Sequence, residues 1–233
     1  MLDAVVLAAG EGSRLRPLTD RWPKPVLPID GRPVIGTLAR ELAAAGFERA
    51  TVVVGHLGDQ VRELLGDGSG FGLAIAYADQ PEAHGSADAL GRALEAGASA
   101  PLLVVAADTV FVPGTIGEAA GRWLSSGTAA GIAVRVVPRE ELGERSPVLV
   151  EDGLVAELDG EPFEGCVAAA PLWFLGPSVV GRMGGLPGPP YELAETLRRA
   201  IEAGEAVAAI EIGPTRDLTR PADVVARNFP YLG

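Results

Sequence analysis

Residues 2–33 read LDAVVLAAGEGSRLRPLTDRWPKPVLPIDGRP. Ala4 to Ala9 form an apolar run, short and β-branched at Val5 and Val6, which predicts a buried strand. The run breaks into Gly10-Glu11-Gly12-Ser13-Arg14 and then into a proline-punctuated segment carrying Arg16, Arg21 and Lys24. A strand ending in glycines lets backbone N–H groups approach an anion closely, because no Cβ stands in the way. Arg14 and Lys24 add full positive charges to the same loop, so this stretch is a candidate phosphate site. Taken alone, a Gly-x-Gly after a strand is equally well a plain turn.

Two familiar phosphate loops do not fit. The Walker pattern needs four residues between its glycines and then Gly-Lys-Ser/Thr, which this stretch lacks. The dinucleotide fingerprint needs a third glycine where Leu15 stands, and Pro17 sits badly in the helix that fingerprint requires. The basic residues are more telling. Of 19, 18 are arginine and one is lysine, Lys24. A compact ammonium suits a phosphate met end-on, where a guanidinium fork is too broad.

The longer string, Leu7-Ala8-Ala9-Gly10-Glu11-Gly12-Ser13-Arg14-Leu15, then Pro17-Leu18-Thr19 and Pro23-Lys24-Pro25-Val26-Leu27-Pro28, resembles the signature of the sugar-1-phosphate nucleotidyltransferases. The resemblance implies a GT-A-like, Rossmann-like α/β/α sandwich with a mainly parallel sheet and a small lid hairpin. It implies an activity that joins an NTP to a phosphorylated sugar and releases pyrophosphate with Mg²⁺. It also implies that residues 7–14 wrap the nucleotide, that Arg14 holds the β- and γ-phosphates, and that Lys24 faces the α-phosphate.

The chain's 233 residues suffice for one large α/β core, and residues 1–233 are expected to form a single domain. A net charge of −12 argues against nucleic acid or an anionic membrane as partner, though not against a nucleotide held by local charge. The one cysteine, Cys166, excludes an internal disulfide and a cysteine-rich zinc cluster, and its small apolar neighbours predict a buried thiol. Neither a signal peptide nor an apolar run of membrane-spanning length is evident, so a cytoplasmic setting is expected.

Downstream, periodicity predicts a helix over 33–46, a strand over 50–55, a helix over 59–65 and a strand over 73–77. This alternation implies a parallel sheet that binds ligands at the carboxyl ends of its strands. Gln80 and Gly85-Ser86-Ala87 match the family's base-reading segment. Gln80 can donate to and accept from a base edge, and Gly85 lets a base pack on backbone. Unaided, Gly85-Ser86 reads as the N-cap of a helix over 87–96, and Ser86 can serve both roles. His84 reads as a loop histidine of no special role.

A strand over 100–107 ends at Asp108, where a carboxylate either caps a turn or holds a divalent cation. The family uses its matching aspartate for Mg²⁺, although Ala107 here replaces a glycine. Beyond it, a helix over 116–126 and a strand over 129–137 lead into residues 138–204, the expected sugar-side lid, with strands over 147–150, 154–158 and 167–175. The family's Glu-Lys-Pro motif becomes Asp159-Gly160-Glu161-Pro162, without lysine. Glu157 and Glu161 are candidate sugar ligands or merely a solvated hairpin. Glu192, opening a helix over 191–203, is a third candidate, although the macrodipole alone favours a carboxylate there.

A last strand over 206–212 precedes Asp217-Leu218-Thr219-Arg220-Pro221-Ala222-Asp223, which resembles the family's closing motif. Asp217 then becomes the second Mg²⁺ ligand, paired with Asp108, while Asp223 caps the final helix. The missing lysine also keeps open a cytidylyl transfer to phosphocholine or another small phosphorylated alcohol. An idle nucleotide-binding subunit is the reading from a different class.

Overall fold

The computed structural model describes residues 2–138, 142, 146–159 and 165–229. Strand β1 (Asp3–Ala8) lies between β4 (Arg49–Val54) and β6 (Leu102–Ala106), parallel to both. β5 (Ala74–Asp79) extends the parallel set beyond β4. These strands carry apolar residues on both faces, as a sheet covered on both sides requires.

Helix α1 (Val34–Ala44), α2 (Gly58–Leu65) and α4 (Thr115–Ser126) lie on one face. There Val6, Leu103 and Val105 meet Leu38, Leu42, Val61 and Ile116. On the other face Val5, Leu102 and Val104 meet Leu90 of α3 (Ser86–Glu95), Val179 of α5 (Pro177–Val180) and Leu197 of α6 (Leu193–Glu202). The three-layer α/β/α expectation holds. The predicted elements lie within a few residues of the observed ones.

The sheet itself is mixed rather than mainly parallel. Among the described residues nine strands run in the order β5-β4-β1-β6-β11-β8-β12-β10-β9. β11 (Val167–Leu175) runs antiparallel to both β6 and β8 (Ala130–Arg135), while β12 (Val207–Glu211) is parallel to β8. The hairpin of β9 (Pro147–Glu151) and β10 (Leu154–Leu158) closes the far edge, and β9 also reaches β11. The pairing of β11 with β8 is locally irregular. Pro171 cannot donate to a ladder, and the register with β8 slips between Ala169 and Trp173 where it sits.

Two short ribbons complete the rim: β2 (Pro28–Ile29) with β3 (Arg32–Pro33), and β7 (Thr109–Val110) with β13 (Arg216–Asp217). The final helix, α7 (Pro221–Asn228), is capped by Asp223, whose carboxylate accepts from the N–H groups of Thr219 and Arg220. Cys166 is half-buried, not buried, because it precedes β11 instead of lying inside it. Among the described residues no helix is long and apolar enough to cross a membrane.

Candidate active site

β1 delivers the chain to the carboxyl rim and turns it sharply. Gly12 adopts φ +63°, and a Cβ there would lie 3.0 Å from Thr19 Cγ2 and 3.2 Å from Lys24 Cβ. Its carbonyl accepts from the Leu15 N–H and the Thr19 hydroxyl, the latter at 3.0 Å. Thr19 is held in turn by His56, whose Nε2 lies 2.8 Å from its carbonyl oxygen. Gly10, by contrast, has open space where its side chain would be. One glycine thus permits the turn and the other leaves the loop's face clear.

A cavity of about 800 Å³ opens at this rim. Its lining takes in Leu7 to Gly10, Gly12 to Arg14, Lys24, Gln80, Gly85, Ser86, Asp108, Glu192 and Asp217, so most of the predicted site residues converge on one space. Lys24 and Asp108, 84 residues apart, form an ion pair with Nζ 2.5 Å from Oδ2, their side chains 21% and 32% exposed. The other Asp108 oxygen accepts from the Thr109 hydroxyl at 3.0 Å. Asp217 arrives by strand pairing, because β13 lays it opposite Thr109, the neighbour of Asp108. Arg14 makes no ion pair among the described residues, whereas Arg16 is tied to Glu11 and Asp20.

Other expectations are corrected. Glu11 points out to Arg16 and does not line the cavity. Ala87 is buried in the core between the sheet and α3, and Ala89 of the same helix lines the cavity instead. Glu157 is exposed on β10, between β12 and β9, and does not line the cavity. Glu161 lies outside the described residues. His84 pairs with Glu82, while its carbonyl accepts from the Tyr191 N–H.

Ser86 caps a different helix from the expected one. It is the first residue of α3, which has no side-chain cap, and its hydroxyl accepts the Leu193 N–H of α6 at 2.9 Å. Gln80 is buried. Its amide donates to the Gly85 carbonyl at 3.0 Å and to Asp88 of α3 at 2.8 Å, and among the described residues its carbonyl oxygen is left for a ligand.

The sequence reading missed Ser146, Ala169, Pro171 and Trp173, which line the cavity opposite the glycine loop. Alternation along β11 was the available signal. Ala168, Ala170, Leu172 and Phe174 are buried, so Ala169, Pro171 and Trp173 fall on the other face. What the alternation lacks is the neighbour: β11 lies beside β6, which brings Trp173 level with Val104.

Among the described residues no cluster of three or more His, Cys, Asp or Glu gathers, and the two expected metal ligands, Asp108 and Asp217, both line the cavity. Such a set suits Mg²⁺, which keeps waters and borrows phosphate oxygens instead of demanding a full protein cage. The ammonium of Lys24 on Asp108 marks that carboxylate as a place for positive charge.

A strand–glycine loop, a lysine and two rim aspartates thus meet around one cavity of an α/β fold. The profile of the nucleotidyl transferase family matches residues 3–143, and the chain belongs to that family. It is 42% identical over 111 residues to the N-acetylmuramate alpha-1-phosphate uridylyltransferase of Neisseria meningitidis serogroup B, covering 47% of this chain and 48% of that protein. It is 28% identical over 242 residues to the low-salt glycan biosynthesis nucleotidyltransferase Agl11 of Haloferax volcanii, covering 97% of this chain and 65% of that one. These matches thus span about half to two-thirds of the length of the two relatives. The fold is similar to that of a crystal structure described as a putative glucose-1-phosphate thymidylyltransferase from Bacillus anthracis. The TM-score is 0.86 at 22% identity, over 98% of this chain and 94% of the other.

Proposed function

We propose that this chain transfers a nucleotidyl group from an NTP to a sugar 1-phosphate, giving an NDP-sugar and pyrophosphate. One juxtaposition carries the reading: the open glycine loop, the only lysine, and Asp108 and Asp217 from distant strands around a single cavity. Family membership and the uridylyl and nucleotidyl transfer named for the relatives support it.

A phosphate oxygen of the acceptor attacks the α-phosphorus in line. The bond from that phosphorus to the bridging oxygen of the β-phosphate breaks, and pyrophosphate leaves with the electron pair. No general base is needed, because the attacking phosphate is already anionic, so catalysis is positioning and electrostatics. Lys24 moves from Asp108 to the charge developing at the α-phosphorus. Arg14, which makes no ion pair among the described residues, steadies the β- and γ-phosphates. Gln80 and Gly85 face the base and Glu192 the acceptor. Asp108 and Asp217 would hold Mg²⁺, which when bound neutralises phosphate charge.

In this reading one domain serves both substrates, with residues 138–204 supplying the acceptor side, in a cytoplasmic setting. A second reading, transfer to phosphocholine or a similar small phosphorylated alcohol, is favoured by the lack of a lysine in 159–162. The test is pyrophosphate release with Mg²⁺ across five NTPs, against a panel of sugar 1-phosphates plus phosphocholine. Turnover with a sugar 1-phosphate supports the first reading, and turnover with phosphocholine alone supports the second. NTP binding without release from any pair refutes both in favour of an idle binding subunit.

A further inference from the structure

The base side and the acceptor side of the cavity are joined by more than shared walls. The N-terminus of α3 and that of α6 meet at residues 84–87 and 191–193. The Ala87 N–H donates to the Tyr191 carbonyl at 2.8 Å, and the Tyr191 N–H donates to the His84 carbonyl at 2.7 Å. Gly85 sits between them at φ +102°, where a Cβ would lie 2.3 Å from the Tyr191 carbonyl oxygen. Only glycine allows this approach.

At the mouth of the junction stands Ser86. Its hydroxyl donates to Glu192 Oε2 at 2.5 Å, its own N–H donates to the same oxygen at 3.3 Å, and its oxygen accepts the Leu193 N–H. Glu192 is the N-cap residue of α6, yet its carboxylate does not cap its own helix. The serine has taken over that task and left the carboxylate to line the cavity, with Oε2 held and, among the described residues, Oε1 left to accept from a ligand. Glu192 is exposed, so no packing fixes its rotamer. An unheld glutamate would lose side-chain entropy each time it met a ligand, and Ser86 removes that loss beforehand.

We infer that Ser86 is a positioning residue that orients Glu192 toward the acceptor. This rests on the nucleotidyl-transfer reading and adds to it a group that acts on the acceptor through another side chain. Ser86 belongs to the loop that carries Gly85, and Gln80 is hydrogen-bonded to the Gly85 carbonyl. Ser86, which aligns the Glu192 carboxylate, is therefore anchored to the base-side wall.

The experiment is a double-mutant cycle on the full chain, with KM for acceptor and for NTP measured separately. Ser86→Ala is expected to raise the acceptor KM about tenfold and to change the NTP KM less than threefold, and Ser86→Thr, which keeps the hydroxyl, to restore it. Glu192→Ala is expected to raise the acceptor KM at least as much, and adding Ser86→Ala to it to raise it no further. A purely structural role predicts otherwise. The Leu193 N–H loses its partner whether or not residue 192 bears a carboxylate, so the Ser86→Ala effect would persist in the Glu192→Ala background. That persistence, or a parallel rise in NTP KM, overturns the proposal. A wild-type chain that releases no pyrophosphate with any acceptor refutes the transfer reading itself, and the acceptor role of Glu192 falls with it.

Discussion

Replacing Lys24 by methionine removes a charge and little else, since most of the aliphatic stem is kept. In the ligand-free protein the lost interaction is one ion pair with both partners partly exposed. Solvent screening limits such a pair to about 0–1 kcal/mol of stability, so the unfolding midpoint should scarcely move. Turnover is a different matter. If the ammonium meets the charge developing at the α-phosphorus, its loss should resemble the loss of one preorganised donor, roughly 2.7–4 kcal/mol, or 10²- to 10³-fold in kcat. A second effect has the opposite sign. Asp108 Oδ2 loses its cation, and a unit charge at about 4 Å is worth about 1 kcal/mol even in water. Mn²⁺ used as a probe should then bind the NTP-free Lys24→Met protein about fivefold tighter than wild type, as read by electron paramagnetic resonance. Turnover within threefold of wild type would remove Lys24 from the mechanism. Unchanged Mn²⁺ affinity would show that the ion pair does not guard the carboxylate.

Two further outcomes concern the scaffold. Gly85→Ala forces a Cβ onto the Tyr191 backbone at a φ that L-residues avoid, and it should cost more than about 2 kcal/mol in urea unfolding while impairing use of both substrates. The buried Asp3 joins three segments at the opposite end of the sheet, accepting from Ser99 N–H and hydroxyl and pairing with Arg49. Burial pushes its pKa up, but the Ser99 and Arg49 hydrogen bonds together outweigh this and hold it below the usual carboxylate value. A depressed folded-state pKa means that its contribution is complete above the unfolded value of about 3.9 and is lost as pH falls through the lower folded value. Urea midpoints should therefore drop more steeply below pH 4 in wild type than in Asp3→Asn. Equal slopes would refute this.

Much of this protein was legible in residues near one another in the chain. The strand periodicities placed β1, β4 and β6, because a strand covered on both faces must be apolar throughout, and the edge strand β5 followed from its apolar run. The turn after β1 announced itself in Gly10 and Gly12, and the solitary lysine marked a position that arginine does not fill. The resemblance then assigned chemistry to Asp108 and Asp217, which no local pattern links. Tertiary structure alone decided how these parts meet. It ran β11 antiparallel beside β6, which made the sheet mixed and turned Trp173 into the cavity wall. The ribbon of β7 and β13 brought Asp217 next to Asp108's neighbour across 108 residues of chain. It took Glu157 out of the site and brought Ser86 and Glu192, 106 residues apart, into contact. Periodicity reports which face of an element is apolar. It carries no record of which element will cover that face, because that depends on the packing of the whole chain.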